Sequence, residues 1–357
     1  MENAPNSVFG AAVGLSGRWL AISESNWNNS GESHAAVHLF KHVRGKIRPW
    51  KWQQQVEVDG TSATYYETFP EFPLALSEHE LAVAAPWPEG LAIYRPDDSE
   101  TWVQAQIIPE AFGGTVWPAG KILMSDDLLA FSNIGGSLYV FSRDAATGDW
   151  QADREFPKGY LNRRSGFFVS GSHLALMRTG SVDQPVRIEF HEKSPEGTWL
   201  EEETVELFDP GPFLISAVHM HAAFDSDDFI VVLGHADVLG NPAGGSTLWR
   251  ISKEASGWEV ADEMEISFQS SRVAAHEGCI LVHGFTPDIL GNPLIGQAAM
   301  LDRGFRQRGD LSPPVGTASL DGERFTTSST RVDFLGNVAD QKVTIFKNRW
   351  AAWFRRK

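Results

Sequence analysis

The chain has 357 residues, of which 42% are hydrophobic and 21% charged, and its formal net charge is −16. This composition is that of a globular protein, and the negative charge argues against unaided binding to nucleic acid or to an anionic membrane, because clustered Lys and Arg supply most phosphate binding. The single cysteine, Cys279, excludes an internal disulfide and a thiolate metal cluster. Its apolar neighbours predict a buried thiol with a structural role.

The N-terminal stretch, MENAPNSVFGAAVG, has neither the basic segment nor the apolar segment of a secretory signal. No apolar run in the chain is long enough to span a bilayer. We therefore expect a soluble protein of the cytoplasm that does not bind membranes. Export by a route without a leader would not alter this pattern, so it stays open.

A four-strand pattern recurs along the chain, and it is clearest in residues 72–110. Alternating apolar positions bounded by turn residues predict strands at Pro73–Ser77, Glu80–Ala85, Leu91–Arg95 and Trp102–Ile108. One such meander cannot bury its apolar faces alone, so we looked for further copies and found six. Their outermost strands, with that of this copy, begin at Trp52, Trp102, Trp150, Trp199, Trp258, Phe305 and Trp350.

These aromatic residues are separated by 45 to 59 residues, which is the spacing of β-propeller blades. We predict an all-β, seven-bladed β-propeller of four-stranded antiparallel blades that forms a single domain over residues 1–357. The expected blades are residues 8–60, 61–110, 111–159, 160–210, 211–267, 268–314 and 315–357. We interpret the aromatic residue at the head of each outer strand as a packing residue wedged between neighbouring blades.

The first copy begins with its innermost strand and the seventh ends with its outermost strand, so no strand is left to be exchanged across the junction. We therefore predict closure by side-chain packing between the first and last blades, without a shared (Velcro) blade.

Several short motifs resemble FG-GAP repeats, which build seven-bladed propellers like that of integrin α subunits. The resemblance is carried by Phe9-Gly10, Ala84-Ala85-Pro86, Phe112-Gly113 and the ending SLYVFSRD before Trp150. The FG dipeptide is present in two copies and the GAP-like triplet in one. Members of this family often bind calcium in D-x-D-x-D-G loops, but the nearest segment, Asp225 to Asp228, lacks the spacing and the glycine. We interpret it as a polar turn and expect no cofactor.

The last three copies share the pattern D-Φ-L-G-N, in which Φ is an apolar residue, between their second and third strands. Its ends are Asp237 and Asn241, Asp288 and Asn292, and Asp333 and Asn337. Two interpretations remain: a shared turn stabilised by Gly and Asn, or a set of Asp/Asn pairs that bind sugar hydroxyls, basic groups of a partner or a cation.

Aromatic residues occur on the same face in the first three copies, in the loops between second and third strands and in the links between blades, beside Asn, Ser and Glu. They are Trp27, Tyr65, Tyr66, Trp87 and Trp117. Each ring could simply cover its own loop, but such residues are also typical of sugar sites and protein-binding hot spots.

Catalytic patterns are sparse. His219 and His221 alternate on a strand and could hold a metal, yet no carboxylate lies at a recognisable offset, so we predict no metal site. No nucleophile elbow, phosphate-binding glycine loop or H-E-x-x-H pattern is present, and we assign no catalytic residue.

We therefore predict a non-catalytic recognition module that binds a protein partner through the rim formed by the loops between blades and between second and third strands. One alternative is a glycan-binding lectin that uses the same loops. Another is an enzyme, such as a lyase, hydrolase or cyclase, with a site at the mouth of the central channel.

Overall fold

A computed structural model describes most of the chain's strands and the tight turns between them. The described residues are 7–27, 33–41, 60–61, 74–84, 90–112, 114–115, 121–133, 136–156, 166–178, 186–200, 203–207, 220–236, 242–276, 278–287, 293–311, 318–321, 324–332 and 338–347. All regular structure within these ranges is β, and no helix occurs in them. The chain divides into two compact units, unit one (Met1–Tyr160 and Thr326–Ile345) and unit two (Leu161–Phe325 and Phe346–Lys357).

Unit one contains three four-stranded antiparallel sheets, each in simple chain order. The first sheet has β1 (Ser7–Ser16), β2 (Trp19–Trp27), β3 (Ser33–Lys41) and β4 (Gly60–Thr61). The second has β5 (Leu74–Leu76), β6 (Leu81–Ala84), β7 (Leu91–Pro96) and β8 (Trp102–Ile108). A two-stranded ribbon of β9 (Glu110–Ala111) and β10 (Gly114–Thr115) precedes the third sheet, which has β11 (Ile122–Met124), β12 (Leu128–Ser132), β13 (Leu138–Arg143) and β14 (Trp150–Phe156).

Unit two contains three more four-stranded sheets of the same order. The fourth sheet has β15 (Gly166–Ser170), β16 (His173–Arg178), β17 (Val186–Glu192) and β18 (Glu203–Leu207). The fifth has β19 (Met220–Asp225), β20 (Asp228–Ala236), β21 (Pro242–Glu254) and β22 (Gly257–Ile266), and the sixth has β23 (Gln269–His276), β24 (Cys279–Pro287), β25 (Pro293–Asp302) and β26 (Gln307–Leu311). Within each unit the first strands of successive sheets contact one another, as in a β-propeller.

The prediction of seven four-stranded blades is wrong, because the structure has six four-stranded blades. The last repeat forms a three-stranded sheet of β27 (Ala318–Asp321), β28 (Arg324–Val332) and β29 (Val338–Lys347). The outer strand predicted at Trp350 lies outside the described residues. The chain ends, on which the predicted closure depends, lie outside them as well. The physical reason is that aromatic spacing counts repeats of sequence, whereas a complete blade also requires its outer strand to pair with the third strand.

The sheets are built in layers of burial that match their sequences. The second strands are almost continuously apolar and buried, as in Leu81–Ala84, where all four residues are inaccessible to solvent. The outer strands are instead largely exposed between buried ends, as in Trp102–Ile108, where only the first and last residues are buried. This difference places second strands between two packed faces and outer strands at the protein surface.

A bulge recurs at one position of the outer strand in four sheets. The backbone pairing register between third and fourth strands shifts by one residue in each of these sheets. The position skipped on the fourth strand is Ala105, Asp153, Ala261 or Arg308. Each of these residues lies three positions after the aromatic residue that heads the strand or precedes it. A bulge increases the local twist, so the same device bends four outer strands in the same way.

The predicted packing role is confirmed for four of the aromatic residues, whereas Trp199 is only half-buried. Trp102, Trp150, Trp258 and Phe305 are at most 8% exposed. Trp102 packs edge-on against Trp19 of the preceding sheet at 5.2 Å between ring centroids, and Trp258 stacks on Phe190 of the preceding sheet at 4.1 Å. The rings therefore fill the space between neighbouring sheets, as expected for wedges.

Two smaller predictions also hold. Cys279 is buried and forms no disulfide. The segment from Asp225 to Asp228 is a tight turn closed by pairing of these two residues, with Ser226 at a positive φ of 56°.

Candidate functional site

Most residues of the predicted rim lie outside the described part of the chain. This applies to Tyr65, Tyr66, Trp87, Trp117, Asp237, Asn241, Asp288, Asn292, Asp333, Asn337 and His219. Trp27 is the last residue of β2 and pairs with Ser33, the first residue of β3. It therefore stands where the chain leaves the second strand. His221 lies on β19, the first strand of the fifth sheet.

The described strands define the frames that hold two of the D-Φ-L-G-N loops. In the fifth sheet Ala236 pairs with Pro242 on either side of the loop 237–241. In the sixth sheet Pro287 pairs with Pro293 on either side of the loop 288–292. Both loops thus contain five residues and are closed by the same kind of strand pair, with a register irregularity directly beneath each. The two frames share the kind of strand pair that closes the loop, but the irregularity below it skips three residues of β21 in the fifth sheet and one residue of β25 in the sixth.

A polar side-chain pair joins the second and third strands at the base of each of these loops. In the fifth sheet His235 Nε2 and Thr247 Oγ1 are 2.8 Å apart, and Thr247 Oγ1 donates to Glu265 Oε1 at 3.0 Å. In the sixth sheet the amide of Gln297 donates to Thr286 Oγ1. Thr286 lies two residues before its loop aspartate, as His235 does, but Gln297 lies one position nearer to its loop than Thr247 does. Each loop base therefore has its own hydrogen bond between the second and third strands.

The opposite ends of the strands carry a different device, in which a buried carboxylate joins neighbouring sheets. Glu80 opens the second strand of the second sheet, and its side chain is 2% exposed. It accepts hydrogen bonds from Arg95 Nε at 2.6 Å, from Arg143 Nη2 of the third sheet at 2.6 Å and from Trp150 Nε1 of the third sheet at 3.1 Å. We call this arrangement the Glu80 clamp.

Asp228 takes the corresponding place between the fifth and sixth sheets. Its carboxylate accepts hydrogen bonds from Ser252 Oγ at 2.5 Å and from Arg303 Nε, and Arg303 stands where Arg143 stands in the third sheet. Burial opposes ionisation of Asp228, but Arg303, Ser252 and Arg250 outweigh it and lower the pKa of this carboxyl. Nearby, burial raises the pKa of Asp225, against the opposing effect of the Gly278 N–H that it accepts at 2.8 Å.

These clamps join neighbouring sheets and stabilise their packing. The sequence does not predict these clamps, because Glu80 and Asp228 are acidic residues in turns of an acidic chain, a pattern that predicts solvent exposure. A comparison of the residue that opens each second strand across the copies is the one signal that could have revealed them.

Two further features concern metal-ligating side chains and helices that could span a membrane. Across the ranges that the structure describes, no group of three or more His, Cys, Asp and Glu side chains is placed to hold a metal ion. In the same ranges no helix is long and apolar enough to cross a membrane.

No protein family and no curated protein matches the sequence. Solved structures match the fold. An acylaminoacyl peptidase from Pyrococcus horikoshii aligns with a TM-score of 0.53 and 10% identity over 98% of this chain and 54% of its own, and a puromycin hydrolase aligns with a TM-score of 0.50 and 13% identity over 94% and 51%. The chain thus spans about half the length of each. The six-bladed lectin from Aleuria aurantia aligns with a TM-score of 0.42 and 13% identity over 85% and 96%. At these identities the likeness shows the fold alone, which is a β-propeller; the resemblance to FG-GAP repeats is not confirmed.

Proposed function

We propose that this chain is a non-catalytic recognition module that binds a protein segment through the loops at the rim end of its strands. These are the loops between second and third strands and the links between successive sheets. The observation that carries the proposal is the pair of frames beneath the loops 237–241 and 288–292, in which the strand pairs Ala236–Pro242 and Pro287–Pro293 close two loops of the same five-residue pattern.

The frames favour a role in recognition, because a hairpin turn does not require the polar side-chain pairs that lie below these loops. A five-residue hairpin needs Gly and Asn in the loop itself, whereas the His235–Thr247 and Thr286–Gln297 pairs lie below it and stiffen its base. A stiff base lowers the entropy cost of binding, because the partner does not have to order the strand ends that carry the loop. Two loops of the same pattern on such bases suit a partner that is bound at more than one point.

Charge indicates the chemistry of that partner. Each loop begins with an aspartate, and the chain carries a net charge of −16. A protein segment rich in Lys or Arg would therefore be attracted at long range and could pair with the loop carboxylates at short range.

The test is capture of partners from the native cell by the immobilised full chain and by two variants. The loop variant carries Asp237→Ser, Asp288→Ser and Asp333→Ser. The control variant carries the same change of charge at turns of the opposite strand ends, with Asp98→Ser, Asp126→Ser and Asp227→Ser. We expect one basic partner to be retained by the wild type and by the control, and to be lost from the loop variant.

Equal retention by all three proteins would refute the rim as the binding surface. A glycan array probed with the same three proteins decides the lectin alternative. Glycan binding that disappears only in the loop variant would replace the protein partner with a sugar ligand and would leave the assignment of the loops intact.

A further inference from the structure

The first strands of the fifth and sixth sheets bring together a group of polar side chains that the rim does not use. We call His221 on β19 and Gln269 and Arg272 on β23 the β19–β23 cluster. Residues of this kind are unexpected here, because the neighbouring positions of the same two sheets, including Ile230, Val232, Ile280 and Val282, form an apolar core.

Gln269 is the central observation. It is 0% exposed, and neither its amide nitrogen nor its amide oxygen has a hydrogen-bond partner in the described part of the chain. The hydroxyl of the adjacent Ser270 is likewise buried and unpartnered there. A buried polar atom without a partner is costly, and native proteins rarely tolerate several together unless a ligand or water completes them.

The backbone around these side chains is held firmly. Ser246 Oγ on the fifth sheet donates to Phe268 O at 2.9 Å and accepts from Ser270 N at 2.7 Å. This bridge joins the two sheets at the start of β23. The unpartnered atoms therefore belong to a well-fixed part of the structure, where a site would be ordered before binding.

Strand register places the cluster on one face of the fifth sheet. The Gln269 amide lies against Gly234, since a Cβ atom built there would come within 1.8 Å of Nε2. His221 pairs with Val232, two residues before Gly234 on β20, so it occupies the next position on the same face, about 7 Å along the strand. Arg272 Nη1 lies 3.4 Å from His221 Nδ1. Gln269 and Arg272 thus reach adjacent positions of one surface.

The chemistry of the cluster is that of a hydrogen-bond donor. A guanidinium can only donate, so the contact between Arg272 and His221 requires Nδ1 to accept, which leaves the ring proton on Nε2. The cluster therefore offers N–H groups from Arg272, His221 and Gln269. Arg272 and His221 are half-buried, so solvent and small solutes reach them.

We propose that the β19–β23 cluster binds a small oxyanion, a carboxylate or a phosphate. Arg272 supplies the charge, and the amide nitrogen of Gln269 supplies a neutral donor to the same group. Planar guanidinium groups suit both oxyanions because two N–H bonds can point at two oxygens. The amide oxygen of Gln269 then accepts from a hydroxyl or N–H on the same ligand. This site is separate from the loops of the proposed function and does not depend on them.

Isothermal titration of the full chain tests the proposal, with acetate and inorganic phosphate as probes and chloride as reference at constant ionic strength. Arg272→Gln and Gln269→Leu are each expected to weaken binding of the preferred probe about tenfold or more, since each removes hydrogen bonds to a charged group. Arg272→Lys keeps the charge and is expected to bind with intermediate strength. The matched control is Arg187→Gln, which removes an exposed guanidinium of unit two that pairs with Glu206.

The two probes identify the source of the oxyanion, because a carboxylate site and a phosphate site differ in which probe saturates at lower concentration. Thermal unfolding of each variant shows whether it is folded before its affinity is compared. The proposal is overturned if neither probe binds saturably to the wild type, or if Arg272→Gln binds as well as Arg187→Gln. Either result would make Gln269 a structural side chain without a ligand.

Discussion

Replacement of Glu80 by alanine should destabilise the protein strongly, because it leaves two arginines without the carboxylate that they share. The Glu80 side chain is 2% exposed and accepts four hydrogen bonds, from Arg95 Nε at 2.6 Å, Arg143 Nη1 at 2.9 Å, Arg143 Nη2 at 2.6 Å and Trp150 Nε1 at 3.1 Å. Removal of one partner from a buried ion pair typically costs about 3–5 kcal/mol.

The geometry places Glu80→Ala at the lower end of that range. The side chains of Arg95 and Arg143 are 27% and 30% exposed, so water can partly replace the lost carboxylate. Arg95 also keeps Asp149 at 3.1 Å, and Arg143 keeps the carbonyl oxygen of Gly148 at 3.1 Å. We therefore expect a loss of about 3 kcal/mol in the free energy of unfolding.

The assay is chemical denaturation followed by tryptophan fluorescence, since Trp150 belongs to the clamp and reports its opening. Asp149→Ala is the matched control, because it also removes a carboxylate that pairs with Arg95. The Asp149 side chain is 45% exposed, so its loss should lower the free energy of unfolding by less than about 1 kcal/mol. A loss below about 1 kcal/mol for Glu80→Ala, or one equal to that of the control, would refute the clamp as an inter-blade device.

Two further predictions concern unit two. The folded pKa of Asp228 lies below its ordinary value of 3.8, so its contribution to stability is complete above that pH and is lost as the pH falls through the folded value. The difference in denaturation midpoint between wild type and Asp228→Asn should therefore shrink below pH 3.8. The control Asp227→Asn, at an exposed residue, should differ little from wild type at any pH, and a constant difference for Asp228→Asn would contradict the reasoning. Gly234→Ala should lower the midpoint, because its Cβ would lie 1.8 Å from the Gln269 amide, and Gln269→Ala in the same chain should restore it. Gly284→Ala should not be restored by Gln269→Ala, because its Cβ would lie 1.9 Å from the backbone oxygen of residue 269; equal rescue at both glycines, measured by thermal unfolding, would show that the contacts have been misassigned.

Local pattern was sufficient for much of the fold. The strands of the second copy were predicted within one or two residues, as with Leu91–Arg95 against Leu91–Pro96, because alternating apolar residues and turn residues are both short-range signals. The wedge role of Trp102 and Trp258 also followed from sequence, since a large ring that recurs once per repeat has few other uses.

The candidate site was much less predictable. The pattern D-Φ-L-G-N shows that three loops are alike, but only the register reveals that Ala236–Pro242 and Pro287–Pro293 close two of them in the same way. Gln269 and Arg272 sit in a stretch, QSSR, that reads as an ordinary polar strand start. Their significance depends on burial and on His221, which lies about fifty residues away in sequence.

The amino-acid sequence by itself determined the all-β class, the four-strand repeat and the aromatic wedges, because each depends on residues within one repeat. Tertiary structure decided the number of complete blades, which is six, since a blade is complete only when its outer strand pairs with its third strand. It also decided the clamps at Glu80 and Asp228 and the β19–β23 cluster. Each of these joins side chains from two sheets, and no pattern within one repeat records which neighbour a polar side chain will meet.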